Sequence, residues 1–187
     1  MTQIAPDGMT LSIRPVGIVR SPIQTPMLAA SDDGLTLQKR MAEVRDYHQR
    51  VKETVAELVI GPWLIDALEG IEDFSHVMVI YWPHLIPPER RGLRRVHPMG
   101  RRDLPERGVF ATCSPARPNP TLVSVVPLVE RKGNVLRVRG LEAVDGSPII
   151  DIKPYVHGYH GADESTVPEW MVRIHRELEA GSPETDL

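Results

Sequence analysis

The chain has 187 residues, 41% of them hydrophobic and 25% charged, which is enough for one domain with a proper core and hardly enough for two. Its formal net charge of −3 argues against a surface that grips nucleic acid all round, because phosphate contacts need Lys and Arg. Cys113 is the only cysteine, which excludes an internal disulfide and leaves no thiolate cluster for a metal. The longest apolar run, Val77-Met-Val-Ile-Tyr-Trp-Pro83, is too short to span a bilayer, and the N-terminus lacks a basic-then-apolar signal pattern. The cytoplasm is the expected compartment, with no membrane partner and no metal.

Residues 1–10 carry little pattern and are expected to fray. Ser12 to Arg20, with Ile13, Val16 and Ile18 apolar, reads as a first strand in which Pro15 marks an edge or a bulge. An irregular loop over 23–30 leads to Ser31-Asp32-Asp33-Gly34, which offers N-cap chemistry. Leu37, Met41, Val44, His48 and Val51 follow at helical spacing, predicting an amphipathic helix over 35–51. His48 on that stripe reads as a satisfied, partly buried histidine. Thr54 to Ile60 alternates and is rich in β-formers. Gly61-Pro62 ends it, and Trp63 to Leu68 reads as a short helical turn. Phe74 to Trp82 is a nearly continuous apolar run, the pattern of a strand buried on both faces. It ends at Pro83-His84, where a forced exit would present His84 to a cleft.

Residues 85–107 are too rich in Pro, Gly and Arg for regular structure and predict a long loop of the kind that carries function. Arg90, Arg91, Arg94, Arg95, Arg101, Arg102 and Arg107 fall within it, leaving the rest of the chain acidic. Singly they read as solvated; together they form a candidate phosphate-binding rim. Val109-Phe110-Ala111 is read as a short strand. It breaks into a loop with prolines at 115, 118 and 120, each of which fixes its own φ and restricts the residue before it. That stiff loop holds Ser114, Arg117 and Asn119 in set directions. The residues alone leave open whether it is a barrel corner or a binding loop. Leu122 to Leu128 and Val135 to Leu141 flank a hairpin turned by Gly133-Asn134. Asp145-Gly146 makes a further turn into the strand Pro148 to Ile152. His157 to Asp163 reads as loop, and a final helix runs over about 166–180 with Met171, Ile174 and Leu178 on one face. His157, His160 and His175 have neither the spacing nor the partners of a zinc site. Many short strands and few helices predict a mainly β domain, a barrel most simply, with one helix inserted and one at the C-terminus.

Phe-Ala-Thr-x-Ser-Pro-x-Arg-Pro-Asn-Pro at 110–120 resembles the signature of the TsaA-like family. Three further stretches agree in order and spacing: Val16-Gly-Ile-Val-Arg-Ser-Pro22, Gly70-Ile-Glu-Asp-Phe-Ser-His76, and Val144-Asp-Gly-Ser-Pro-Ile-Ile-Asp-Ile-Lys-Pro-Tyr155. Together they cover most of 13–156, the expected core of a single domain spanning 1–187. The characterised members are TrmO, methyltransferases that use S-adenosyl-L-methionine (SAM) on N6 of threonylcarbamoyladenosine beside the tRNA anticodon. The resemblance implies a small β-barrel that dimerises, with SAM as cofactor and tRNA as partner, the arginine rim holding the anticodon stem.

By position, the resemblance places His84, Cys113, Val123, Leu141 and Glu142 against SAM. Pro26 and Leu28 match a loop that is commonly Pro-x-Gln, Ser114, Arg117 and Asn119 match the signature loop, and Asp151, Lys153 and Tyr155 match its closing strand. Two departures stand out. Cys113 occupies the place of a family arginine, exchanging a planar five-donor group for a small weak donor. Thr121-Leu-Val-Ser124 replaces Ile-Gly-Leu-Ser, removing a glycine. No Gly-x-Gly-x-x-Gly turn follows a strand, so a Rossmann methyltransferase is not supported. The catalytic base is not identified. Two alternatives stand beside the tRNA reading: methylation of a small-molecule acceptor, and a SAM-binding module without catalysis.

Overall fold

The computed structural model describes residues 12–26 and 37–179. Its strands are β1 (Gly17–Arg20), β2 (Val55–Ile60), β3 (His76–Tyr81), β4 (Arg95–Val96), β5 (Arg107–Gly108), β6 (Leu122–Lys132), β7 (Val135–Arg139) and β8 (Pro148–Pro154). Six of them close an antiparallel barrel in the order β1–β2–β7–β6–β3–β8, with β8 returning to pair with β1; β4 and β5 form a separate ladder. The expected β-barrel is therefore the fold. Alternate side chains point inward, and Val19, Ala56, Leu58, Val77, Val79, Leu136, Val138 and Ile149 are fully buried together in the barrel interior.

Close approach of β1 to β2 depends on Gly17, where a Cβ would lie 2.3 Å from the Val59 carbonyl oxygen. β1 begins at Gly17 rather than Ser12, because Pro15 has no N–H to offer a ladder. β6 serves two neighbours. Leu122 to Pro127 pair with β3, Leu128 to Lys132 pair with β7, and the register shifts between Leu128 and Glu130. β3 is not buried on both faces as its composition predicts. Val77, Val79 and Tyr81 are buried while His76, Met78 and Ile80 are only half-buried, because a single closed sheet has just one interior.

Two helices pack together outside the barrel. α1 (Leu37–Glu53) falls where the periodicity predicts a helix, and its Val44 and Val51 are buried; the capping residues 31–34 lie outside the described residues. α2 is the single turn His157–His160, in a stretch read as loop. α3 (Glu169–Glu179) buries Ile174 and half-buries Met171 and Leu178. Arg45 Nη2 of α1 donates to the Glu177 carbonyl of α3 at 2.8 Å.

Val109–Ala111 is a tight 3-10 turn and not a strand. Val109 N–H donates to the Arg94 carbonyl at 2.9 Å, and the Thr112 N–H and hydroxyl both donate to the Val109 carbonyl. Local capping outcompetes a ladder here.

Candidate active site

β3 leads into the site. The Trp82 N–H donates to the Pro148 carbonyl at 2.9 Å, the ladder stops, and Pro83 turns the chain outward. The next turn closes with Ile86 N–H on the Pro83 carbonyl at 3.0 Å. His84 is delivered over the Asp145–Ser147 turn, with its Nδ1 3.4 Å from Ser147 Oγ. That turn is anchored through Gly146 N–H to the Val19 carbonyl at 2.9 Å, and through Asp145 Oδ1, which accepts from Ser21 N–H at 3.0 Å. Gly146 has φ +77°, and a Cβ there would sit 3.9 Å from His84 Nε2. The turn needs glycine for its positive φ, while a Cβ at that distance would only be in ordinary contact with the imidazole.

A cleft of about 260 Å³ opens at this point. His84, Leu85 and Ile86 follow β3 into it, Val144 and Ser147 come from the turn before β8, and Leu122, Val123 and Ser124 begin β6. Cys113 and Pro115 come from the signature loop, Pro26 from the loop after β1, and Tyr47 from α1. Tyr81 sits in the wall, where the β3–β8 register shifts between Ile80 and Tyr81; such a bulge re-aims a side chain. Its hydroxyl donates to the Glu142 carbonyl at 2.9 Å.

Glu142 is the one carboxylate lining the cleft among the described residues. Its residue surface is open on one side, yet its carboxyl is crowded enough that burial pushes its pKa up, against the opposing pull of His48 and of a hydrogen bond from Tyr47. The same pairing, with burial as the largest cause, pushes the Tyr47 phenol up to about 12. Burial likewise raises Tyr81. Both phenols therefore stay protonated as donors at neutral pH.

Of the residues that the resemblance implies for the cofactor, Pro26, His84, Cys113, Val123 and Glu142 meet in this cleft. Leu141 does not line it: its side chain is fully buried in the barrel core. Ser114, Arg117 and Asn119 shape the loop instead. Ser114 Oγ accepts from Ala116 N–H at 3.3 Å, Arg117 lies over the exposed Phe110 ring at 5.8 Å, and the Asn119 carbonyl accepts from Thr121 N–H at 2.7 Å. Lys153 pairs with Asp151 at 2.6 Å, and Tyr155 stacks on His160 at 5.8 Å, all outside the cleft. Leu28 lies outside the described residues.

The arginine rim needs one correction. Arg101 is only 3% exposed. Its guanidinium clamps Asp103 at 2.7 Å and also holds Glu177 of α3, because a buried cation must be matched by anions. Arg91 donates to the Ile86 carbonyl at 3.0 Å and lies 5.4 Å over the Trp82 ring, so it supports the cleft wall. Arg95 pairs with Glu106 at 2.7 Å. Arg90, Arg94, Arg102 and Arg107 are exposed.

Tyr47, Tyr81, Ser124 and Ser147 reach the cleft without having been singled out in the sequence. Ser147 stands inside the Val-Asp-Gly-Ser-Pro motif and Tyr81 at the last inward position of β3, so both had a signal. Tyr47 had none, since it lies beside the apolar stripe of α1.

Hydroxyl donors, an imidazole, one carboxylate and aliphatic walls suit a heteroaromatic base with a polar tail, as in a charged nucleoside such as SAM. The volume lies just below the range of pockets that enclose a whole drug-sized ligand, roughly 300–1,000 Å³. The fold is a closed antiparallel barrel, distinct from doubly wound nucleotide-binding sheets. Residues 36–160 match the family model described as the tRNA-methyltransferase O N-terminal domain, and the chain belongs to that family. A Methanothermobacter thermautotrophicus protein named probable S-adenosyl-L-methionine-binding protein is 45% identical over 147 residues, covering 79% of this chain and 91% of its own. The Escherichia coli tRNA (adenine(37)-N6)-methyltransferase is 32% identical over 157 residues, covering 75% of this chain and 56% of its own. Among solved structures, TrmO from P. aeruginosa superposes with a TM-score of 0.63 at 27% identity, over 89% of this chain and 64% of that one. The chain thus spans less than two-thirds of the length of these last two relatives.

Proposed function

We propose that this chain is a SAM-dependent methyltransferase that modifies N6 of threonylcarbamoyladenosine beside the tRNA anticodon. The observation that carries the reading is the meeting of Pro26, His84, Cys113, Val123 and Glu142, drawn from five separate stretches, in one cleft. When bound, SAM supplies a methyl group on a positively charged sulfur. The reaction forms N–CH3, breaks CH3–S, leaves the bonding pair on sulfur as a thioether, and frees the proton carried by nitrogen.

The protein's task is mainly to hold two reactants in line. His84 and Ser147, fixed against each other on the Gly146 turn, form one polar end of the cofactor site, and the Leu122–Ser124 edge forms its flank. The Glu142 carboxylate takes the nitrogen's proton, a role helped by an affinity for protons raised above that of an ordinary glutamate. Tyr47 orients that carboxylate by donating to it. Arg90 and Arg94, exposed on the excursion that follows the cleft residues His84 to Ile86, contact tRNA phosphates.

A second copy of the chain docks on the outward row of β6, where Val123, Val125 and Val129 are 56%, 43% and 43% exposed, an apolar row that supports the dimer reading. Val125→Asp should then yield monomer in sedimentation. The setting is the cytoplasm, where tRNA is modified; no described helix is long and apolar enough to cross a membrane.

Calorimetric titration with SAM and with its homocysteine product tests the site, and transfer of labelled methyl to tRNA from cells lacking the modification tests the acceptor. Methylated threonylcarbamoyladenosine in the digested RNA is expected. Cys113 at the cleft favours a second reading with a small-molecule acceptor, which predicts SAM turnover on a metabolite pool and none on tRNA. SAM binding with no turnover at all would leave a binding module.

A further inference from the structure

The excursion from Pro83 to Pro115 starts and ends at the cleft: Pro83 to Ile86 line it on the way out, and Cys113 and Pro115 on the way back. Its tip lies elsewhere. Leu104, Pro105 and Arg107 form one wall of a second, open groove of about 800 Å³, and α3 with the residues before it forms the other. The tip is locked there, since Arg101 binds Glu177 of α3, and Asp103 accepts from Arg173 of α3 at 2.7 Å. α3 lies beyond the 36–160 match, so this groove is built in part from residues that the family model does not include.

Its chemistry is specific. Arg107 and Arg176 are exposed on the two walls, with the half-buried Trp170 and the apolar Pro105 and Val172 among the lining residues. Arg173 is committed to Asp103 and to Glu177, the latter at 2.8 Å, while among the described residues the Arg107 guanidinium makes a long 3.5 Å donation to the adjacent Glu106 carbonyl. Among the described residues, Glu169 is the one acidic residue in the lining. Cations set around an indole are the arrangement that holds single-stranded or looped nucleic acid, with guanidinium on phosphate and an unstacked base on the ring. A protein partner would more often meet a groove depleted of charge at its centre.

We infer that this groove is a second RNA contact, which takes a phosphate on Arg107 and Arg176 and an unpaired base on Trp170. The inference rests on the tRNA reading above and deepens it, since the continuous excursion places one RNA-binding groove and the methylation cleft on a single ordered segment. It assigns α3 the task of extending the RNA footprint.

Arg176→Glu and Trp170→Ala test it in the full chain, with anisotropy of labelled tRNA followed against salt and with SAM calorimetry as the control. Neither residue touches the cleft, so SAM affinity should stay as in the unaltered chain. Arg176→Glu should weaken tRNA binding by roughly tenfold at low salt and flatten the salt dependence by about one phosphate contact. Trp170→Ala should lose about five- to tenfold with the salt slope unchanged, the lower part of the range for one stacked base. Should Trp170→Ala unfold, the surface change Arg176→Glu still decides. An unaltered chain that binds tRNA, with both variants matching it, overturns the groove alone. An unaltered chain that binds no tRNA overturns the tRNA reading and the groove with it. Variants that change sedimentation but not tRNA affinity would show that a second copy of the chain covers the groove, and overturn it too.

Discussion

Replacing Arg101 by Met should destabilise the protein rather than remove a direct phosphate contact. The Arg101 side chain is 2% exposed, and it is paired with Asp103 and Glu177, which are 32% and 30% exposed. Removing one partner from a fully buried ion pair costs about 3–5 kcal/mol. Two features reduce that here. Water still reaches both carboxylates, and Arg173 still faces both, at 2.7 Å and 2.8 Å. A loss of about 2–3 kcal/mol follows. For a chain of this size it lowers Tm by roughly 4–12 °C. Arg101→Lys should recover only part of it, because an ammonium cannot fork across two carboxylates. The assay is calorimetric melting near neutral pH, joined to tRNA binding well below the transition. A Tm that stays within about 1 °C of the parent, far inside the expected shift, together with a loss of tRNA affinity, would return Arg101 to the rim and refute the clamp.

Four further outcomes follow from the same structure. Arg101 holds the Asp103 and Glu177 carboxyls below the usual carboxylate range, chiefly by hydrogen bonds; this stability is present above about pH 4 and lost as pH falls through the folded values. Acid titration of α3 docking, read by limited proteolysis, checks it, and Arg101→Met should flatten the acid limb. Tyr47 has the opposite sign: its contribution is complete below about pH 10 and is lost as pH rises through about 12, so Tyr47→Phe should blunt alkaline unfolding in a circular-dichroism titration. Because Glu142 is raised, the acid limb of the methyl-transfer rate should sit above the ordinary glutamate value. The Tyr47 bond lowers Glu142, so Tyr47→Phe should move that limb higher still, and an unmoved limb would remove Glu142 as proton acceptor. Gly17→Ala should cost about 1–3 kcal/mol by overpacking, since its Cβ would meet the Val59 carbonyl at 2.3 Å; chemical denaturation reads this directly.

The barrel was legible because its strands alternate and its turns carry their own chemistry. Gly133 sits at φ +60° where the hairpin between β6 and β7 requires it, and Gly146 at φ +77° where the cleft turn does. The strand read at Val109–Ala111 was misplaced because three apolar residues say nothing of their partners; the Thr112 hydroxyl bonding back to Val109 made a turn of them. Arg101 was counted with its solvated neighbours because composition cannot tell a clamp from a rim, and its partner Glu177 lies 76 residues away. Tyr47 was invisible for a similar reason. A helix reports its buried stripe through periodicity, but which flanking residue overlooks a cleft is set by how α1 docks. The motif resemblance supplied the cofactor, which no spacing or charge pattern pointed to, and His84, Glu142 and Cys113 reach the cleft through loops whose paths only tertiary structure fixes.

A crystal structure of the chain with S-adenosylhomocysteine tests the assignment of the cleft most directly. The expected result places the nucleoside against His84 and Val123, with Ser147 in contact and the sulfur facing the open space that Glu142 and Tyr47 border. A ligand found in the groove beside Trp170, or no density at saturating ligand, would contradict the assignment of this cleft as the site of methyl transfer.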